Sequence, residues 1–183
     1  MQTIIVPTDF SDISLNAVNY AADMAIALHS SLLIIHSEEQ PFSGKGFSSE
    51  TMADETAVNE KLHAIKNNIL TRTHNKITVH LKQVDGVIED ELIKVCDYKN
   101  PLAVIMATHG AGLREQFFIG STTVYLSKNL EYPLVVVPAG VSFTPVNKVL
   151  LASDLENLYQ LPLDKIINII SAFKAGEAGS SNY

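Results

Sequence analysis

The sequence has little of what several classes of protein require. Cys96 is the only cysteine among 183 residues, so a disulfide framework and a cysteine-based zinc site are both excluded. Positive charge is scarce as well, and the formal net charge of −7 argues against binding to nucleic acid or to an anionic membrane surface. No basic region precedes the first apolar run, Asp9 soon interrupts that run, and no stretch is long enough to span a bilayer. We therefore expect a cytoplasmic protein.

Short apolar runs alternate with segments of helical period along residues 1–140. The runs predict strands, and Ser11 is a plausible N-cap for the first helix. Strands that alternate with helices indicate right-handed crossovers. The fold class predicted is α/β, with an open, mostly parallel five-stranded sheet and helices on both faces. The predicted strands lie at 4–6, 32–35, 77–81, 102–106 and 134–137. A polar stretch runs from 38 to 55, and Gly44-Lys45-Gly46 within it is interpreted as a flexible linker.

The pattern of the first strand and helix starts again near the C-terminus. Residues 148–154 resemble residues 3–9. When the two segments are aligned without a gap, Val18 corresponds to Leu163 and Leu28 to Phe173. A lone strand and helix cannot bury their apolar faces unaided. They must pack on the first domain, pack on another subunit, or belong to a longer tandem protein, which is the interpretation we favour. The predicted division is a domain at 1–140, a linker at 141–147, a partial repeat of one strand and one helix at 148–175, and a polar tail at 176–183.

The segment from Ala107 to Ser121 is the most informative for function. It follows a buried strand directly and ends where a helix begins, and its glycines allow the backbone N–H groups to approach an anion. Gly120, Ser121 and Thr122 place hydroxyl groups at that helix start, where free N–H groups and the helix dipole favour phosphate. For any single glycine an ordinary loop is the better interpretation, but the joint arrangement favours a phosphate site.

This segment resembles the nucleotide-binding signature of the universal stress protein family, which is a glycine, two residues, a glycine, nine residues, and then Gly-Ser or Gly-Thr. Gly110, the nine-residue spacer and Gly120-Ser121 match the signature. Residues 5–11, Ile-Val-Pro-Thr-Asp-Phe-Ser, resemble the family's first strand and turn, and residues 134–138 resemble its last strand. The resemblance implies a Rossmann-like fold related to the adenine nucleotide α-hydrolases. It also implies that ATP, ADP or AMP binds, with or without Mg²⁺.

The resemblance further implies a set of nucleotide-binding residues. Asp9 resembles the family acid that contacts the adenine or the ribose. The alternative interpretation is that Asp9 is a turn or capping residue. Two positions depart from the family pattern, because Ala107 replaces the first motif glycine and Ser37 stands where an apolar residue packs against adenine. The full set implied is Pro7, Thr8, Asp9, Ser37, Met106, Ala107, His109, Gly110, Gly120, Ser121 and Thr122.

Several other functions compete with nucleotide binding. The same fold could serve as a dimeric stress or interaction protein without a nucleotide, as Ala107 and Ser37 would favour. An ATP-using enzyme would need a Ser-Gly-Gly-x-Asp type of loop after the first strand, and a flavodoxin-like carrier would need more hydroxyl groups there. His36 and His109 are two ligands short of a structural metal set, so we expect them to act in packing or hydrogen bonding. We expect no metal site, no catalytic residues, at most slow ATP hydrolysis, and a homodimer through 134–138, 148–175 or both.

Overall fold

The computed structural model describes residues 1–38, 49–108, 119–150 and 162–180. Strands and helices alternate in these ranges, as the sequence predicts. The second helix begins at Ser49, within the polar stretch at 38–55, and the predicted linker at 44–46 lies outside the described residues. The elements are β1 Thr3–Pro7, α1 Asp12–Ala27, β2 Ser31–Glu38, α2 Ser49–Arg72, β3 Val79–Asp85, α3 Ile88–Lys99, β4 Ala103–Ala107, α4 Ser121–Asn129, β5 Leu134–Val137 and α5 Leu163–Ser180.

The five strands form one sheet in the order β3-β2-β1-β4-β5. Each strand pairing in the described ranges is parallel, and Ile5 of β1 lies between Leu33 of β2 and Val104 of β4. The chain builds outward from β1 to β3 on one side and then from β4 to β5 on the other. The order therefore reverses between β1 and β4, and in open α/β sheets ligands bind at such a point.

The two faces of the sheet carry separate apolar cores. Ile4 and Val6 of β1 point to the face covered by α1, α2 and part of α5, whereas Ile5 points to the face covered by α3 and α4. The side chains of Ile4, Ile5 and Val6 are all fully buried. Burial on both faces explains why these strands are continuous apolar runs rather than alternating ones. The predicted α/β fold with helices on both faces is confirmed.

The first helix starts as the sequence predicts. Ser11 adopts an extended conformation before α1, and its hydroxyl oxygen accepts a hydrogen bond from the backbone N–H of Ser14 at 3.3 Å. Asp12 adds a negative charge in the first turn, where the helix dipole favours it.

After β5 the chain crosses α1 and continues into α5. Asn16 donates from Nδ2 to the carbonyl oxygens of Pro138 and Val141, at 3.3 and 3.2 Å. Helix α5 then packs partly against the core face that carries α1. Residues 148–150 form no strand, and the rest of the predicted repeat strand lies outside the described residues. The predicted division at 141–147 and 148–175 therefore stays a prediction. None of the helices in the described ranges is long and apolar enough to cross a membrane.

Candidate functional site

The candidate site lies where β1 and β4 end beside each other. Thr8 follows β1 and donates its backbone N–H to the Ile35 carbonyl at 2.9 Å, and Thr108 follows β4 and donates to the Val137 carbonyl at 3.1 Å. These two bonds extend the sheet ladder by one residue beyond each strand. Pro7 and Ala107, the last residues of the two strands, are thereby held at the point where the strand order reverses.

The turn after β1 is organised by the Thr8 hydroxyl. Thr8 is buried, and its Oγ1 lies 3.0 Å from Ser14 Oγ and accepts the backbone N–H of Phe10 at 3.1 Å. Phe10 has a positive φ of 64°, which is unfavourable for a residue with a side chain and costs of order 1 kcal/mol. The hydrogen bond to Thr8 and the packing of the Phe10 ring hold it in that conformation.

Asp9 lies exposed at the edge of this turn. Its Oδ1 accepts hydrogen bonds from the backbone N–H of Ser11 at 3.0 Å and from the Ser11 hydroxyl at 2.5 Å. Asp9 therefore has the turn and capping role that was its alternative interpretation from the sequence. Contact between Asp9 and a nucleoside stays a prediction.

His36 and Phe10 form an aromatic pair between the ends of β1 and β2. The His36 Nδ1 lies 2.7 Å from the Thr8 carbonyl oxygen, and because a carbonyl oxygen can only accept, Nδ1 is the donor. The two rings lie 4.3 Å apart at their centroids. His36 thus has the packing and hydrogen-bonding role expected from the sequence. Phe10 was missed, since the sequence contains no signal for its backbone conformation.

Ser37 serves the turn between β3 and α3. Its hydroxyl donates to the carbonyl oxygen of Gly86, which has a φ of 117° that side-chain-bearing residues rarely adopt. The Gly86 N–H in turn donates to the Glu38 carbonyl at 3.2 Å. An apolar residue at this position would lack the hydroxyl. In Ser37 that hydroxyl forms a hydrogen bond within the protein.

The end of β4 is tied to the start of α4. The Gly120 N–H donates to the Thr108 carbonyl at 2.5 Å, and the Thr123 hydroxyl donates to the Ala107 carbonyl at 3.2 Å. Met106 is buried in the core beneath α3 and α4. His109 and Gly110, which the sequence also predicts for this site, lie outside the described residues.

The first turn of α4 has features that suit an anion. Gly120 precedes the helix and has no side chain with which to cap it, and no acidic residue stands in the first turn. Ser121 is exposed, and its hydroxyl lies at the helix start. Backbone N–H groups in such a turn bind phosphate through hydrogen bonds and through the helix dipole.

Two polar groups next to this turn were not foreseen from the sequence. The Thr122 hydroxyl donates to the Glu89 carboxylate at 2.6 Å, which brings an acid from α3 to the start of α4. The Thr108 Oγ1 is buried, and among the described residues it is the buried side-chain polar atom without a hydrogen-bond partner. The patterns along α3 and α4 do not reveal the Thr122–Glu89 contact, because it joins residues 33 positions apart in sequence.

The single cysteine has a structural role. Cys96 is fully buried in α3, and its burial raises the pKa of the thiol to about 12, so the group stays a neutral thiol at neutral pH. It therefore packs in the core, as expected from the sequence. Within the described ranges, no group of three or more His, Cys, Asp and Glu side chains is arranged to hold a metal ion.

Comparisons with known proteins agree with the fold. The model of the universal stress protein family matches residues 1–138. A universal stress protein of Methanocaldococcus jannaschii is 26% identical over 136 residues, which cover 73% of this chain and 80% of the relative. The structure of a universal stress protein in complex with cAMP aligns with a TM-score of 0.56 and 19% identity, over 74% of this chain and 95% of that one. The Archaeoglobus fulgidus protein in complex with dAMP aligns with a TM-score of 0.55 and 16% identity, over 74% and 97%.

Proposed function

Because this chain belongs to the universal stress protein family, we propose that it binds an adenine nucleotide and acts in the stress response through nucleotide-dependent interactions. The ligand proposed is ATP, ADP or AMP, with or without Mg²⁺. The site proposed is the edge where β1 and β4 end, and the observation that carries the proposal is the first turn of α4 beside it. Gly120, Ser121 and Thr122 would hold phosphate there, and Thr8 and Asp9 would face the nucleoside.

The geometry supports the site proposed, and the comparisons support the ligand class. The Gly120–Thr108 and Thr123–Ala107 hydrogen bonds fix the start of α4 against the end of β4. A preformed helix start can bind phosphate without first losing conformational entropy. Two relatives of the same fold are described in complex with cAMP and with dAMP, which supports an adenine nucleotide as the ligand class.

Thermal unfolding with added nucleotides tests the proposal. ATP, ADP or AMP should raise the melting temperature and FMN should not, because a ligand that binds only the folded state stabilises it by about 2.7 kcal/mol at a hundredfold excess over Kd. Gly120→Val should abolish the shift, since a β-branched side chain would crowd the phosphate. Ser127→Val, an exposed change in the same helix, is the matched control. No shift with any adenine nucleotide at millimolar concentration would favour the alternative below.

The second candidate is the same fold acting as an interaction protein without a nucleotide. Ala107 favours it, because its methyl group stands where the family signature has a glycine. Ser37 does not strengthen it, since the Ser37 hydroxyl is bound to the Gly86 carbonyl. Binding that tightens in Ala107→Gly would show that the methyl group hinders the ligand without excluding it. We propose no catalytic residues, and at most slow ATP hydrolysis.

We further propose a cytoplasmic homodimer. Strand β5 lies at one edge of the sheet, and Val136 on it is partly exposed, so the strand is available to pair with a second copy. The family resemblance implies antiparallel pairing of residues 134–138 across a two-fold axis. The segment 148–175 is the second surface proposed, because Leu150, Leu163 and Ile167 expose apolar side chains there.

A further inference from the structure

We propose that Glu89 makes the site discriminate among adenine nucleotides by charge, so that it favours a monophosphate over a triphosphate. The proposal rests on the function proposed above and concerns the same site. Its basis is the hydrogen bond between the Thr122 hydroxyl and the Glu89 carboxylate, which places a negative charge where the phosphates would bind.

Thr122 is the second residue of α4, so a group that touches its hydroxyl lies beside the first-turn N–H groups. The Thr122 Oγ1 to Glu89 Oε1 distance is 2.6 Å, and both side chains are partly buried. Such a short hydrogen bond to a carboxylate, with solvent partly excluded, holds the acid in place. The Glu89 charge is therefore a fixed feature of this helix start rather than a mobile surface charge.

Glu89 also lies in the first turn of its own helix. Helix α3 starts at Ile88 after Val87, and its first turn contains Glu89, Asp90 and Glu91. Of these three acids, Glu91 is paired with Lys94 at 2.6 Å and Asp90 is exposed. Helices α3 and α4 pack against each other on the same sheet face, so the Glu89 carboxylate lies near the positive ends of two helix dipoles.

An acid in this position has a direct effect on phosphate binding. The carboxylate already neutralises part of the positive potential that would attract a phosphate, and it repels further negative charge at short range. AMP has one phosphate group and ATP has three, so the repulsion grows along that series. A partly buried position weakens screening by salt, so the discrimination should persist at physiological ionic strength.

Calorimetric titration with AMP and with ATP, in EDTA so that no divalent cation masks the charge, tests the inference. Glu89→Gln keeps the shape and can still accept from Thr122, but it removes the charge. ATP affinity should rise about tenfold and AMP affinity clearly less, about threefold or below. Asp90→Asn changes the net charge equally in the same turn and should leave the ratio of the two affinities unchanged.

The outcomes separate this inference from the proposed function. If wild type and Glu89→Gln both bind the nucleotides with the same ATP-to-AMP ratio, the inference is overturned and the proposed function stands. If Glu89→Gln binds ATP more weakly, the carboxylate assists binding, and the inference is overturned as well. If neither protein binds either nucleotide, the proposed function fails and the inference with it. Glu89→Ala, checked by its melting temperature, is a second neutral variant should Glu89→Gln fold poorly.

Discussion

Helices α1 and α5 contain the same apolar spacing but have different surroundings. With the two segments aligned without a gap, Val18 and Ala22 of α1 correspond to Leu163 and Ile167 of α5. Val18 is 1% exposed and Ala22 is fully buried, whereas Leu163 is 50% exposed and Ile167 is 60% exposed. Helix α1 lies directly on β1, β2 and β4, while α5 packs on α1 and covers only part of that face.

The difference shows what an apolar helical face requires. The spacing creates the face in both helices, but only a sheet beneath it buries the face. The residue sizes differ as well, because small residues at Ala21, Ala22 and Ala25 let α1 approach the sheet closely, and α5 has isoleucine at each equivalent position. Helix α5 could therefore not pack on this sheet in the position of α1, because its larger side chains would prevent the close approach.

The largest effect should appear in thiol reactivity, when a side chain buried beneath α3 is compared with one on the exposed face of α5. Cys96 is fully buried in the core beneath α3 and α4. At pH 8 it should react with a thiol reagent at least about a hundredfold more slowly than the new cysteine of Ile167→Cys, made in a Cys96→Ala background. Burial raises the pKa of Cys96 to about 12. The folded pKa is above the unfolded one, so this contribution to stability is complete at neutral pH and is lost as the pH rises from about 9 towards 12. Equal labelling rates at the two sites would contradict the comparison.

A large effect on stability is expected from truncation in α1. Met24 is fully buried against the sheet, and Met24→Ala should lower the free energy of unfolding by about 2–5 kcal/mol through lost contacts and a cavity. Urea unfolding measures this change, with Ile169→Ala as the matched variant at the equivalent position of α5. Ile169 is only partly buried, so its truncation should cost clearly less. Similar losses in both variants would mean that α5 is as tightly packed as α1.

The smallest effect is expected at the outer face of α5. Ile167→Gln should change the free energy of unfolding by no more than about 0.5 kcal/mol, because the side chain is largely exposed.

Light scattering of wild type should report about twice the chain mass if the proposed homodimer forms. A mass that falls to that of one chain in Ile167→Gln would assign the dimer to the 148–175 surface. An unchanged double mass would leave β5 as the proposed contact, and one chain mass for wild type would refute the dimer.

The sequence by itself determined the alternation of strands and helices in the described part of residues 1–140. The periodicity of apolar residues, the Ser11 cap and the glycines after β4 are local signals, and each acts through the backbone within a few residues. They were enough for the α/β class and the parallel sheet, whereas the sheet edge at which a ligand would bind stays a prediction. They also predicted the helix that became α5, because its spacing is as regular as that of α1.

Only the tertiary structure decided which distant groups meet. The Thr122–Glu89 contact joins residues 33 positions apart, and the Ser37–Gly86 contact joins residues 49 apart. Such pairs are brought together by the crossovers and by the strand order, which no local pattern encodes. The positive φ of Phe10 follows from the Thr8 hydroxyl and from the packing of its ring near His36. The burial of α1 and the exposure of α5 have the same origin, since a helix's spacing creates its apolar face and the neighbouring sheet decides how much of that face is buried.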